Sequence, residues 1–169
     1  MDFVSSGCHN TYTKCKDYNF EDHANQLNNI IISSSLNFSH ILIISDTGVK
    51  NNIAMSITYI YVHDRPIVKT IHYTTNIIST EAELFAIRCG INQVTSLSGI
   101  SKIIVITDSI HAVRSIFDSS IHPLQVHLAT ISKELREFFF TNSDNSIKFW
   151  ECPSQCDWPF FKAIDSDTK

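Results

Sequence analysis

Two short apolar runs, each ending in an aspartate, constrain the fold of this chain more than any other feature. The run at 41–44 leads through one serine to Asp46, and the run at 103–106 leads through one threonine to Asp108. Unbroken β-branched runs are typical of strands buried on both faces. Ligands gather at the carboxyl ends of parallel strands. The sequence therefore predicts that Asp46 and Asp108 lie side by side if their strands are neighbours.

The spacing of apolar residues predicts the remaining elements. Predicted strands lie at 41–44, 53–62, 67–73, 103–106 and 147–150, with polar turns at 48–52 and 64–66, and predicted helices lie at 20–32, 80–98, 110–117, 124–138 and 157–165. Three early strands followed by alternating helices and strands predict an α/β fold. We expect a five-stranded mixed sheet, an antiparallel meander joined to parallel βαβ units, flanked by helices. Residues 1–40 are interpreted as an N-terminal tail and connecting helix, and 41–169 as the domain.

Composition narrows the class of protein. A chain of 169 residues with 43% hydrophobic and 18% charged residues is typical of one globular domain. The apolar runs are too short to cross a bilayer, and the first residues do not resemble a secretory signal. We therefore expect an intracellular protein, in cytoplasm or nucleus, with its five cysteines reduced. The net charge of −4 alone argues against a nucleic-acid binder, although a cation-binding carboxylate cluster can be acidic and still face a phosphate.

Each candidate carboxylate also has a local alternative role. Asp108 is placed to cap a helix that begins at Ser109, and the stretch from Thr80 to Glu83 fits a capping box. Asp165 lies in a polar segment that solvent would ordinarily cover. Against these alternatives, neighbouring aspartates persist as anions mainly where a cation neutralises them. Hard oxygen ligands select Mg²⁺ or Mn²⁺ over zinc.

As a set, these stretches resemble the motifs of the ribonuclease H family. Residues 43–48 (IISDTG) are similar to its first motif, 79–87 (STEAELFAI) to its second, 104–109 (IVITDS) to its third, and the tryptophan-ended strand at 149–150 with 163–165 (AID) to its last. The second motif places the catalytic glutamate at Glu83. The segment 149–169 further resembles ribonuclease H domains of fungal retrotransposon polyproteins. In related integrases and transposases the glutamate comes last, whereas here it comes second.

The resemblance implies a chemistry and a set of residues. It implies a two-metal-ion endonuclease that hydrolyses the RNA strand of RNA–DNA hybrids, with two Mg²⁺ or Mn²⁺ ions about 4 Å apart. The catalytic and metal-binding residues would be Asp46, Glu83, Asp108 and Asp165. Asp46 would bridge both ions, Glu83 and Asp108 would complete one ion site, and Asp165 would complete the other. Such a domain belongs to a polyprotein with an adjacent reverse-transcriptase domain and needs no membrane.

The same resemblance suggests how substrate is bound and where the chain departs from the family. Asn52, Thr80 and Ser109 are the expected substrate contacts, with hybrid selectivity coming from ribose 2′-hydroxyls. Ile110 stands where a glutamine is common and cannot form a hydrogen bond. The loop at 152–156 lacks a histidine that many members carry, and 115–146 has no insertion rich in lysine and arginine, so affinity would depend on the neighbouring domain.

Two other interpretations were considered, one for the function of the domain and one for a metal site. A catalytically weak or inactive ribonuclease H-like domain, kept for structure or interaction, is favoured by Ile110 and the missing histidine. Retention of all four carboxylates opposes it. A zinc site built from Cys152 and Cys156 with Cys8 and Cys15 lacks a usual ligand spacing, and the two pairs lie at opposite ends of the chain.

Overall fold

A computed structural model of the chain describes residues 12–13, 20–35, 39–62, 65–75, 77–117, 125–153 and 156–168. Its elements, in chain order, are β1 (Tyr12–Thr13), α1 (Phe20–Ser35), β2 (His40–Lys50), β3 (Ile53–Val62), β4 (Arg65–Thr75), α2 (Ser79–Thr95), β5 (Lys102–Thr107), α3 (Ile110–Phe117), α4 (Gln125–Thr141), β6 (Ser146–Glu151) and α5 (Pro159–Thr168). Within these ranges, no helix combines the length and the apolar character that crossing a bilayer requires.

The strands form one mixed sheet in the order β1-β6-β5-β2-β3-β4. Strands β2, β3 and β4 are an antiparallel meander, and β2, β5 and β6 run parallel. The five predicted strands and their mixed arrangement are confirmed. The sixth, β1, pairs parallel with β6 through Tyr12 and Thr13. The sequence analysis, which interpreted the residues before the first helix as a tail, did not predict this short strand.

Alternate residues of the central strands supply two cores, one on each face of the sheet. In β2, Ile41 and Ile43 face the first core, whereas Leu42 and Ile44 face the second. Helices α2, α3 and α4 cover the first face, and α1 and α5 cover the second. The unbroken apolar run of β2 is thus buried on both sides, as its composition predicts.

Two predicted turns are shorter than expected. Strand β2 continues through Lys50, and its connection to β3 consists of Asn51 and Asn52, with φ of 52° and 63°. Two successive residues with positive φ make the tight hairpin turn whose twist matches that of the strands, and asparagine tolerates this conformation. Strand β4 begins at Arg65 and includes Pro66, so the turn expected at 64–66 is wrong for both. An edge strand accommodates proline because one side of its backbone has no ladder partner.

Helix α2 is held against the sheet at three successive turns. The Ser56 hydroxyl donates to the Ala82 carbonyl at 3.1 Å, and the Thr58 hydroxyl donates to the Ala86 carbonyl at 3.0 Å. One turn further on, Gly90 lies so close to β2 that an added Cβ would be 2.6 Å from Cγ2 of Ile43. These contacts determine the axial position of α2, and with it the position of every side chain near its N-terminus.

Helix α1 packs on the second face and contacts the segment between β6 and α5. Its Leu27 is fully buried in the second core. The buried Trp158 indole N–H donates to Asn28 Oδ1 at 3.0 Å, and His23 Nε2 lies 2.6 Å from the carbonyl oxygen of Glu151. The segment that leads from β6 into α5 is therefore held by the N-terminal helix as well as by the sheet.

Candidate metal centre

Asp46 and Asp108 lie together at the carboxyl ends of adjacent parallel strands. Strands β2 and β5 pair in a register that sets Ser45 opposite Thr107, so the next residues along the two chains are the aspartates. Asp46 is still within β2, and its side chain is 5% exposed. Asp108 directly follows β5 and is half-buried. The neighbouring strands that the apolar runs predicted are present.

Glu83 of α2 reaches the same point from above the sheet. One oxygen from each of Asp46, Glu83 and Asp108 lies within 4.8 Å of the others. Glu83 is 5% exposed although it is a carboxylate. Three of the four carboxylates singled out in the sequence therefore converge, although each is more than twenty residues from the next along the chain.

The electrostatics of this cluster are unfavourable to a negative charge. Burial raises the pKa of Glu83 well above its ordinary value, and repulsion from Asp108 and then from Asp46 raises it further. A hydrogen bond from Thr47 opposes these effects and lowers the pKa. A buried carboxylate beside two others is held as an anion at little cost only when a positive charge lies between them.

The donor set fits a hard divalent cation. Oε2 of Glu83 is buried and has no hydrogen-bond partner within the described part of the chain, so one oxygen remains available as a ligand. Mg²⁺ binds oxygens at about 2.0–2.1 Å, which sets opposite ligands about 4 Å apart. The observed limit of 4.8 Å between the carboxylate oxygens needs only a small contraction to match this.

The fourth predicted ligand, Asp165, lies in α5, but its side chain is outside the described residues. Helix α5 packs against β2 and β3, and Ile164 shares the second core with Ile44. Asp46 follows Ile44 by two residues in β2, so it lies on this same side of the sheet. The participation of Asp165 stays a prediction.

The structure shows which residues cap the N-termini of α2 and α3, the roles considered as alternatives for Glu83 and Asp108. The N-cap position of α2 is Ile78, and no side chain caps the helix, so Thr80 and Glu83 do not form a capping box. Helix α3 is capped by the Ser109 hydroxyl oxygen, which accepts from the Ala112 N–H at 3.3 Å. Neither Glu83 nor Asp108 is therefore needed to cap a helix.

The three expected substrate contacts lie at different distances from the carboxylates. Thr80 is half-buried in the first turn of α2, and Ser109 directly follows Asp108. Asn52 is exposed in the turn between β2 and β3. The turn follows Lys50, four residues past Asp46, which at the rise of a strand is about 13 Å. Substrate binding by these residues stays a prediction, and at Asn52 it would require a nucleic acid long enough to reach the hairpin turn.

Cys152 occupies the start of the loop at 152–156, whose sequence contains no histidine. Its N–H donates to the Thr107 carbonyl at 2.9 Å, and its side chain is fully buried. Burial raises the pKa of the thiol, and Cys156, Asp108 and Asp46 raise it further. A buried neutral thiol is a small apolar group here rather than a proton carrier. The described cysteines are free thiols, and the other half of the imagined zinc site, Cys8 and Cys15, lies outside the described residues.

Sequence reasoning missed two hydroxyl residues beside the carboxylates. Thr47 directly follows Asp46, and its hydroxyl donates at 3.4 Å to that of Ser56, which lies opposite it in the register of β2 and β3. Ser56 is 1% exposed. The available signal was the alternation of Ser56 and Thr58 along β3, which places two hydroxyls on one otherwise apolar face of the strand.

Comparison with solved structures identifies the fold. The N-terminal RNase H domain of a Mycobacterium tuberculosis protein superposes with a TM-score of 0.57 at 16% identity, covering 68% of this chain and 87% of that domain. LC11-RNase H1, in complex with an RNA/DNA hybrid, gives a TM-score of 0.52 at 16% identity over 76% of this chain and 99% of that one. The chain has the ribonuclease H-like fold.

A ribonuclease H-like region within a larger protein gives a similar match. The foamy viral protease–reverse transcriptase, in complex with an RNA/DNA hybrid, matches with a TM-score of 0.59 at 11% identity, over 98% of this chain and 21% of that one. At such identities the likeness concerns the fold. No protein-family model and no curated protein matches the sequence.

Proposed function

We propose that this chain is a metal-dependent endonuclease that hydrolyses the RNA strand of RNA–DNA hybrids, as part of a retroelement polyprotein. The observation that carries the proposal is the convergence of Asp46, Glu83 and Asp108 within 4.8 Å, with a buried carboxylate oxygen left without a partner. Two of the superposed ribonuclease H structures contain RNA/DNA hybrids, which supports the choice of substrate.

The chain's own residues would divide the work as follows. Asp46, Glu83 and Asp108 would hold one Mg²⁺ or Mn²⁺ ion, and Asp165, with Asp46, would hold a second. When bound, such ions would lower the pKa of a bound water and neutralise charge on a phosphate. The three converging carboxylates would keep an ion where the parallel pairing of β2 and β5 ends. Thr80, in the first turn of the helix that carries Glu83, and Ser109, directly after Asp108, would contact the ribose 2′-hydroxyls.

The test is a cleavage assay with labelled RNA–DNA hybrid in Mg²⁺ or Mn²⁺, using duplex DNA, duplex RNA and single-stranded RNA as comparison substrates. We expect the wild-type chain to cut only the RNA strand of the hybrid. Asp46→Asn keeps the size of the side chain but removes its charge, and we expect it to lower the rate by at least 1000-fold, about 4 kcal/mol in the barrier. Equal rates for the two proteins would refute the assignment of Asp46.

A second candidate function is a ribonuclease H-like domain that serves structure or interaction with little catalysis. The observation that favours it is the burial of Cys152 in the loop that has no histidine, since a buried thiol with a raised pKa does not transfer protons readily. Absence of cleavage by wild type in both metals, together with retained binding of hybrid, would favour this alternative.

The proposed partners are the hybrid and an adjacent reverse-transcriptase domain. The net charge of −4 leaves the chain without the basic excess that binds phosphates tightly. A neighbouring domain with its own nucleic-acid channel would supply that affinity. The foamy viral match, in which the corresponding region belongs to a protease–reverse transcriptase, supports this arrangement.

A further inference from the structure

Two side chains of β3 hold helix α5 along one side. Near the start of the helix, the ring of Phe160 packs edge-on against the ring of Tyr61, with centroids 5.5 Å apart. Near its end, Oδ2 of Asp167 accepts from the Tyr59 hydroxyl at 2.6 Å and from Lys69 Nζ at 2.6 Å. Tyr59 and Lys69 are directly opposite in the register of β3 and β4. These three residues, Tyr59, Lys69 and Asp167, form what we call the α5 anchor.

The two contacts determine the rotation of α5 about its own axis. Phe160 and Asp167 are seven residues apart, so at 3.6 residues per turn they lie within about 20° of each other around the helix. Phe161 and Ile164 are buried in the second core and form the stripe that faces the sheet. Position 165 lies about 160° around the helix from Asp167, beyond that stripe. The two aspartates of α5 are therefore on opposite sides of its buried face.

The sheet continues, on the side away from the anchor, towards the proposed metal centre. The strand order places β2 and then β5 on the far side of β3 from β4, and α5 packs on β2 and β3. Asp46 and Asp108 lie where the pairing of β2 with β5 ends. A helix held at β3 and β4 by one side therefore turns its other side, with position 165, towards these carboxylates.

We propose that Asp167 is a positioning residue for the second ion site and that Asp165 alone of the two is a ligand. The α5 anchor fixes the orientation of the helix before an ion binds, as a contact behind a metal ligand does. Both hydrogen bonds of Asp167 end on one oxygen and come from two different strands. This inference rests on the proposed metal centre and adds the anchor to it.

The anchor should matter more for orientation than for stability. The side chains of Lys69 and Asp167 are 39% and 37% exposed, and ion pairs of such exposure add little to the stability of a protein. An amide at position 167 can replace the carboxylate, because its single carbonyl oxygen has two lone pairs and can accept both bonds. A metal ligand at this position would instead need the charge.

The same helix offers a matched control in an ion pair that does not involve the sheet. Nζ of Lys162 lies 2.5 Å from Oδ1 of Asp157, and the two side chains are 62% and 82% exposed. This pair joins the first turn of α5 to the residue two positions before the helix. Asp157→Ala removes one acidic group and one ion pair, as Asp167→Ala does, but leaves the α5 anchor intact.

The experiment counts the Mn²⁺ ions bound by the full chain and measures their affinities by electron paramagnetic resonance, with thermal unfolding recorded in parallel. We expect two ions in the wild-type chain and loss of the second in Asp165→Asn. Asp167→Ala should weaken the second ion about 10-fold or more and leave the first unchanged. Asp167→Asn should keep most of the affinity for the second ion. Asp157→Ala should bind both ions as wild type does.

Each outcome has a distinct meaning. Wild-type affinity for both ions in Asp167→Ala would overturn the positioning role, and so would an equal loss in Asp157→Ala. An Asp167→Asn protein as weak as Asp165→Asn would show that the charge of Asp167 binds the ion, which contradicts the division of roles. If Asp167→Ala does not fold, the double variant Tyr59→Phe, Lys69→Met removes both donors and takes its place. A wild-type chain that binds no Mn²⁺ would instead refute the proposed metal centre, and one that binds a single ion would refute the second site together with this inference.

Discussion

Replacing Gly90 with alanine tests whether α2 is seated on β2 as closely as the structure shows. In an exposed helix, alanine is more favourable than glycine by about 1 kcal/mol, so the simplest expectation is a more stable protein. Here the new Cβ would lie 2.6 Å from Cγ2 of Ile43 and 3.0 Å from Cγ2 of Thr58. Carbon atoms pack best at about 3.5–4.0 Å, so the closer contact is short by about 1 Å.

The two methyl groups cannot easily move away. Ile43 is fully buried, and Thr58 is held by its hydrogen bond to α2. Overpacking of a well-filled core costs about 1–3 kcal/mol, and we expect the upper half of that range because two strands resist. After subtraction of the gain in helix propensity, Gly90→Ala should lower the free energy of unfolding by about 1–2 kcal/mol.

The contact between positions 90 and 43 is measured by a double-mutant cycle. The free energies of unfolding of Gly90→Ala, Ile43→Ala and the double mutant are determined in urea with EDTA present. Ile43→Ala alone should cost about 2–5 kcal/mol because it leaves a cavity. In the double mutant the methyl group of Ala at position 90 enters that space, so the combined loss should be smaller than the sum by about 1 kcal/mol or more. A Gly90→Ala protein as stable as wild type, or strictly additive losses, would refute the close packing of α2.

Two further predictions concern the carboxylates and the hairpin turn. In metal-free protein the raised pKa of Glu83 means that the folded state keeps a proton which the unfolded chain releases above its ordinary pKa of 4.5. The free energy of unfolding should therefore fall as pH rises from 4.5 through the folded-state pKa of Glu83. Glu83→Gln should make this decline shallower when urea unfolding is measured at a series of pH values. An equal dependence on pH in both proteins would contradict the effect of burial on Glu83. At the turn, Asn52 has a φ of 63°, so Asn52→Ala should cost about 1 kcal/mol in unfolding free energy whereas Asn52→Gly should not. Neither change should alter Mn²⁺ affinity, because the turn is about 13 Å from Asp46 along the strand. A loss of affinity in Asn52→Gly would show that the turn reaches the metal centre.

The sequence predicted those parts of the fold in which the pattern of apolar residues along the chain matches their burial in the folded protein. The run at 41–44 is buried on both faces. A strand that is apolar on both faces is stable mainly at the centre of a sheet that helices cover on both sides. Its aspartate then falls where the parallel pairing of β2 with β5 ends. Asp46 and Asp108 were predictable as neighbours because both follow apolar runs that form adjacent parallel strands.

The parts that were missed depend on contacts between distant residues. Tyr12 and Thr13 have no apolar periodicity, and they form a strand because β6 has an open edge beside them. The extension of β2 to Lys50 depends on its pairing with β3, which satisfies the backbone of polar residues that would otherwise favour a turn. The hydrogen bond between the hydroxyls of Thr47 and Ser56 joins residues from neighbouring strands, and neither residue indicates the other in the sequence.

The contacts of α1 have a consequence for where the unit begins. The first motif starts at residue 43, yet the interior of the protein starts earlier in the chain. Leu27 is buried in the second core, and Asn28 accepts a hydrogen bond from the Trp158 indole. A gene fragment cut at the first motif would leave an indole N–H without its acceptor and a broad apolar surface open to water. Any shortened or recombined version of this domain must therefore keep the helix at 20–35 together with the carboxylates.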